Sequence, residues 1–218
     1  MRCQWLALAA ISACSTVGLA QSVEAAVSFG QSRFPAKNAD LGTATGDLNS
    51  GHYKMKDGFR ITARMAINSW RFLGHEFGYG YSRTAVEAPA TTSTSTGVSL
   101  PGQPSGAATT IPAQSISVPS HQGFYDFLVY ATPEGFRIRP FACGGVQFTA
   151  FSQPGAYYGN RETKYGINYG GGLKVKVKEP WGFRLDVRQY NMGKPFKLPN
   201  GGGRLLMWEF SGGLSFLL

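Results

Sequence analysis

The sequence is short of several things that most folds of this size use. Charged side chains make up only 15% of its 218 residues. No long stretch of Ala, Glu, Lys and Leu runs at helical spacing, which argues against a helical bundle. Past the N-terminal leader, no apolar run approaches the ~20 residues that a membrane helix needs. If the chain spans a bilayer it must therefore do so as a closed barrel, because lipid offers no hydrogen-bond partners to open backbone. Cysteine is scarce too. Cys3 and Cys14 lie in the leader and leave only Cys143, so no internal disulfide can staple the fold.

What is plentiful is aromatic residues, at 13%, and glycine, at 29 residues. That mixture suits many turns and tightly packed strands. The formal charge is +9, but the basic residues are spread along the chain, often alternating with apolar ones. No basic run marks a nucleic-acid surface, and no nucleic-acid partner is expected.

The leader reads as a secretory signal. Arg2 supplies the positive start, Trp5 to Leu19 is mostly apolar, and the small residues Gly18 and Ala20 occupy the −3 and −1 positions of a cleavage site. The expected division is residues 1–20 as signal peptide and 21–218 as one mature domain. Ile11-Ser12-Ala13-Cys14 offers the alternative of lipidation at Cys14.

The rest alternates with period two. From Lys164 to Lys178, Tyr165, Ile167, Tyr169, Gly171, Leu173, Val175 and Val177 share one face, and Gly166, Asn168, Gly170, Gly172, Lys174 and Lys176 the other. Between Trp181 and Tyr190, Trp181, Phe183, Leu185 and Val187 oppose Arg184, Asp186 and Arg188. At the C-terminal end Leu206, Trp208, Phe210, Leu214, Phe216 and Leu218 oppose Glu209, Ser211, Gly213 and Ser215. Weaker segments at Val23–Phe34, Gly58–Ser69, Phe72–Arg83, Gln122–Thr132 and Phe136–Phe151 complete a set of about eight, each near the ~9–11 residues of a tilted membrane strand.

Short links fall around Trp70-Arg71, Pro133-Glu134-Gly135 and Glu179-Pro180. Long ones run Pro35–Asp57, Thr84–His121, Ser152–Thr163 and Asn191–Gly203. Within the longest, the Thr/Ser-rich stretch Thr91–Gly97 reads as unstructured. Trp70, Phe72, Trp181 and Phe216 gather at the short-turn end. Phe59, Tyr79, Tyr81, Phe148, Phe151, Tyr165 and Trp208 gather toward the long loops, as two interfacial girdles would. The expectation is all-β: an eight-stranded antiparallel up-and-down transmembrane β-barrel with short periplasmic turns and long extracellular loops.

Three segments carry a family resemblance: Arg139-Pro140-Phe141-Ala142-Cys143-Gly144-Gly145-Val146, Gly170-Gly171-Gly172-Leu173-Lys174 and Trp181-Gly182-Phe183-Arg184-Leu185-Asp186-Val187-Arg188. With them the chain resembles the small outer-membrane β-barrel proteins related to the OmpA transmembrane domain. The resemblance implies export to a bacterial outer membrane, with lipid, periplasmic chaperones and the barrel-assembly machinery as partners. Trp208, Phe210, Leu214, Phe216 and Leu218 resemble the C-terminal signal which that machinery reads. The family pattern ends in Phe, whereas this chain ends Phe216-Leu217-Leu218.

Polar-face charges are expected inside: Arg60, Arg64, Arg137, Arg139, Lys174, Lys176, Arg184 and Arg188 with Glu76, Asp126, Asp186 and Glu209. An eight-stranded barrel is just wide enough for side chains to fill it, and charges confined there must pair. Leu173, Val175, Phe183, Leu185, Val187, Phe210 and Leu214 are expected to face lipid. A soluble lipocalin-like barrel would invert these faces. His75-Glu76 starts like a zinc motif, but position 79 is Tyr, and on a strand the pair points to opposite faces. His52 and His121 fall in expected loops. No Ser-His-acid set shares a face, so neither catalysis, metal nor cofactor is expected. The reading is a monomeric, non-enzymatic surface scaffold, with a narrow channel as alternative and a lipid-modifying enzyme behind it.

Overall fold

The computed structural model describes residues 22–43, 51–94, 108–152 and 161–218. The expected signal peptide and cleavage site lie outside them. The described chain is all antiparallel strand: β1 (Ser22–Arg33), β2 (Asp40–Thr43), β3 (His52–Trp70), β4 (Leu73–Ala88), β5 (Thr91–Thr94), β6 (Ala108–Ile111), β7 (Gln114–Tyr130), β8 (Ile138–Phe151), β9 (Glu162–Lys178), β10 (Trp181–Gly193) and β11 (Arg204–Leu217).

Pairing runs β3-β4-β7-β8-β9-β10-β11-β1, and β1 pairs again with β3, from Ser22 opposite Asn68 to Ser32 opposite Gly58. Eight strands thus close on themselves, and no long strand is left with an unpaired edge. This is the barrel that the alternation predicts, with its three short links at Arg71-Phe72, residues 131–137 and Glu179-Pro180. The strands run further toward the long loops than expected. β3 has 19 residues and β7 and β9 have 17 each, well beyond the ~9–11 a span requires. His52 and His121 therefore sit on strands and not in loops. Thr91–Thr94, read as unstructured, instead pairs with Ala108–Ile111 in a two-stranded ribbon; residues 95–97 of that stretch lie outside the described ones.

The overhang obeys the opposite polarity rule from the span. Below it, Phe59, Ile61 and Met65 are exposed while Arg60, Thr62 and Arg64 are buried. Above it Tyr53 and Met55 are buried, and His52, Lys54 and Lys56 point outward. The two phases meet at a bulge: between the pairs Lys56–Ala85 and Phe59–Arg83, two residues of β3, Asp57 and Gly58, face one of β4, Thr84. One extra residue flips every side chain beyond it to the other face. On β4, β10 and β11 the phase is continuous and the residue types switch instead, to Val86, Tyr190, Met192, Leu205 and Met207 inside. An apolar exterior fits hydrocarbon and a polar one fits water, so the switch marks the outer edge of the membrane band.

The interior is tiered. Toward the long loops an apolar plug gathers Phe34, Leu41, Tyr53, Met55, Val86, Val118, Phe151, Met192, Leu205 and Met207. Phe151 belongs here, 2% exposed, and not to the aromatic girdle. The middle tier is polar. Toward the short turns a smaller apolar set holds Ala66, Leu128, Tyr130, Phe141 and Cys143.

Candidate functional site

The middle tier brings charged side chains from five strands together. β3 contributes Arg60 and Arg64, β4 Glu76, β7 Asp126, β10 Arg184, Asp186 and Arg188, and β11 Glu209, each at an inward position of its strand. Four guanidinium groups face four carboxylates, all at most 4% exposed. Arg184 holds Glu76 at 2.5 and 3.1 Å through two nitrogens and Asp186 at 2.8 Å through its Nε. Arg188 holds Glu76 at 2.6 Å, Asp186 at 3.0 Å and also Asp126. Arg60 donates to Glu209 at 2.9 Å, and Arg64 pairs with Glu209 and lies 3.6 Å from Glu76. Counted as charges the set is neutral, which is the condition under which ions tolerate a low-dielectric interior.

Neutral neighbours complete the cluster. Glu209 accepts from the Tyr190 hydroxyl at 2.8 Å and from the Ser211 hydroxyl at 2.7 Å. Arg60 also bonds Ser82 at 2.8 Å and Gln122. Rings stack on the cations: Arg184 lies 4.8 Å from the Phe141 centroid and Arg188 5.3 Å from that of Phe124. Glycine makes the space. A Cβ on Gly80 would stand 2.7 Å from the Arg60 guanidinium carbon. Sequence reasoning missed Tyr190, Gln122, Phe124 and Phe141, although strand parity alone puts Phe124 on the face of Asp126.

The other charges expected in this cluster are elsewhere. Lys174 lies nearer the short turns, 2.7 Å from Glu24 and 3.0 Å from the Tyr130 hydroxyl. Arg139 covers the Tyr130 ring at 3.8 Å and donates to the Arg71 carbonyl at 3.4 Å. Arg137 is exposed in the turn before β8, and Lys176, half-buried near the end of β9, pairs at the rim with Glu179. These two are corrections: Arg137 precedes the first residue of β8, where strand parity no longer applies, and Lys176 keeps the face of Lys174 but sits at the end of the lumen, where a rim carboxylate takes it.

Of the residues assigned to lipid, Phe183, Leu185, Val187, Phe210 and Leu214 are exposed on the outer wall. Leu173 and Val175 are half-buried on that same face of β9, opposite Leu185 and Phe183. The C-terminal set lies along β11: Trp208 stacks with Phe210 at 6.2 Å, Phe216 meets Trp181 edge-on at 5.0 Å, and Leu218 follows the strand, exposed.

The histidines stay apart. His75 bonds the Tyr125 hydroxyl at 2.7 Å and His121 that of Tyr79 at 2.5 Å, both on the outer wall, and His52 pairs with Asp40 at 2.9 Å. Glu76 points inward, away from His75. No group of His, Cys, Asp and Glu among the described residues could hold a metal.

Above the plug, residues 34–43 and 194–203 are stitched across the mouth. Thr43 N–H donates to the Pro199 carbonyl at 2.9 Å, and Asn200 to the Thr43 hydroxyl at 3.3 Å. Phe196, Lys197 and Asn200 take left-handed φ of 71°, 43° and 59°, unusual for residues with a Cβ and sustained here by packing. Glu162 accepts from the Phe196 N–H and pairs with Lys164 at 2.6 Å. Burial raises the Glu162 pKa, but Lys164 and the Phe196 N–H outweigh it and hold the carboxyl below its ordinary value. Asp40 is likewise lowered, burial being outweighed by the Gly42 N–H and His52.

Solved structures share this architecture. The outer membrane protein OprG of Pseudomonas aeruginosa aligns over 91% of this chain and 96% of its own, with TM-score 0.60 and 9% identity. The N-terminal β-barrel domain of OprF from the same organism covers 90% and 97%, with TM-score 0.52 and 13% identity. Neisserial surface protein A covers 90% and 96%, with TM-score 0.51 and 10% identity. At such identities the likeness is one of fold. No curated protein sequence matches the chain. The sequence model of the outer membrane protein beta-barrel domain matches residues 6–216. With nearly the whole chain covered by that model and an eight-stranded ring beneath it, the protein belongs to the outer membrane protein beta-barrel domain family.

Proposed function

We propose that this barrel is a non-enzymatic, closed scaffold of the bacterial outer membrane, inserted as a monomer and presenting its long loops to the surroundings. The observation that carries the reading is the neutral cluster of Arg60, Arg64, Arg184 and Arg188 with Glu76, Asp126, Asp186 and Glu209. A solute path through the lumen would have to break these pairs, and an unpaired buried charge costs several kcal/mol. The apolar plug stands as a second barrier in series. Against catalysis, the described residues that line the surface hollow of the His52–Asp40 pair are Lys54, Glu87, Pro89 and Ala113, none of them a hydroxyl or thiol nucleophile. On this reading the chain reaches the membrane behind a signal cleaved after Ala20. Periplasmic chaperones then pass it to the assembly machinery, which reads Trp208, Phe210, Leu214, Phe216 and Leu218.

Planar bilayers holding the purified barrel test the proposal, together with assays of phospholipid and lipid A hydrolysis. Electrical silence and no hydrolysis are expected. Steady conductance that shifts in Arg184→Gln or Glu209→Gln would overturn the closed scaffold in favour of a narrow channel.

A further inference from the structure

Between the ionic cluster and the short turns the lumen is not filled. A cavity of about 300 Å³ opens there beside the turns at 134–137 and 179–182, at the lower end of small-ligand site volumes. Glu24, Asn68, Arg139 and Lys174 line its inner part, and Arg137, Lys176 and Trp181 its rim. Glu24, Asn68 and Arg139 are at most 8% exposed, and each presents an atom with no protein partner: Glu24 Oε1, Asn68 Oδ1 and Arg139 Nε. Half of the six such atoms among the described residues thus belong to one cavity. Buried polar atoms are normally paired, and a cluster of unpaired ones calls for a partner from outside the chain.

The unmet valences define that partner. Glu24 meets Lys174 with its other oxygen, so Oε1 is a charged acceptor, and the Oδ1 of Asn68, which lines the same cavity, is a neutral one. Among the described residues no carboxylate pairs with the Arg139 cation, which meets the Arg71 carbonyl and the Tyr130 ring. A simple anion would satisfy Arg139 but would meet Glu24 and, at the rim, Glu134 and Glu179. A simple cation would satisfy Glu24 but would meet Arg137, Arg139, Lys174 and Lys176. A molecule carrying both signs satisfies both halves, its carboxylate on Arg139 and its ammonium on Glu24 and Asn68. We propose that the cavity at the short-turn end binds a small zwitterion of amino-acid to dipeptide size. The site lies below the ionic cluster, so it does not depend on whether the lumen conducts.

Calorimetry on the folded barrel in nanodiscs tests this with four probes: alanyl-alanine, its N-acetyl derivative, its C-terminal amide, and alanine. Saturable binding of alanyl-alanine is expected, weakened about tenfold or more when either terminal charge is blocked, since each charged hydrogen bond is worth ~1.5–3 kcal/mol. Alanine binding as tightly would assign the site to free amino acids, and weaker binding would assign it to short peptides. Glu24→Gln should narrow the gap between alanyl-alanine and its N-acetyl derivative, and Arg139→Gln should weaken only the probes with a free carboxylate. Both variants are scored only when heat-modifiable migration shows a folded barrel, and the four-probe comparison on the unaltered protein needs neither. No saturable binding, which would leave a hydrated cavity, equal binding of blocked and unblocked dipeptides, or inorganic phosphate binding as well as alanyl-alanine would each overturn the proposal.

Discussion

Arg60 Nε donates to Glu209 Oε2 at 2.9 Å although their strands, β3 and β11, are separated by β1. The contact is possible because the inward face of β1 is small: Ala26, Ser28, Gly30 and Ser32 let both side chains reach over it. Glu209 therefore takes charge from Arg60 and Arg64 across β1, and hydroxyl bonds from Tyr190 and Ser211.

Glu209→Gln should destabilise the folded barrel by about 3 kcal/mol or more, because it leaves guanidinium charge unmatched in a sealed interior. Urea unfolding in lipid vesicles measures it. Adding Arg60→Met should recover part of the loss. Strictly additive losses would mean that the two side chains are not coupled.

Leu185 and Lys54 both face outward, on opposite sides of the polarity switch. Leu185→Arg should cost about 2–4 kcal/mol at mid-membrane depth, whereas Lys54→Leu should stay within about 0.5 kcal/mol. A harmless Leu185→Arg, in the same unfolding assay, would place that wall of β10 out of contact with lipid.

Much of this was legible in the sequence, for one physical reason: the period of a strand is two, so Arg184-Leu185-Asp186-Val187-Arg188 states both faces at once. Strand number and the positions of the three short turns follow from the same alternation. What was hidden depended on a count or on distance. Tyr53 and Met55 have the parity of Phe59 and Ile61, and only the bulge at Asp57-Gly58 turns them inward. The apolar plug was missed because its members come from seven strands and from the stretch between β1 and β2, and no single segment shows them as a set. Parity placed Arg60 and Glu209 inside, but could not say that Lys174 and Arg139 sit in a separate tier with Glu24, because depth is set by the stagger between strands.

Acid should loosen the cover of the mouth. The pKa values of Glu162 and Asp40 are lowered in the folded protein, so their contributions are present above the ordinary carboxylate range and are lost as pH falls through the lowered values. Amide protection of residues 194–203, corrected for intrinsic exchange, should be lower at pH ~3 than at pH ~7, and Glu162→Gln should reproduce the loss at neutral pH. Protection that ignores both changes would mean that Glu162 does not anchor the segment.

The central claim is that the lumen is closed toward the long loops, and Cys143 tests it most directly. It is the one cysteine beyond the leader, buried at 7% exposure with Tyr130 and Phe141 on the short-turn side of the ionic cluster. A small charged methanethiosulfonate applied from the long-loop side of vesicles holding the folded barrel has to pass both the plug and the cluster to reach it. The account predicts no modification of Cys143 until the barrel is unfolded, and then complete modification. Modification of the folded barrel from that side would contradict it.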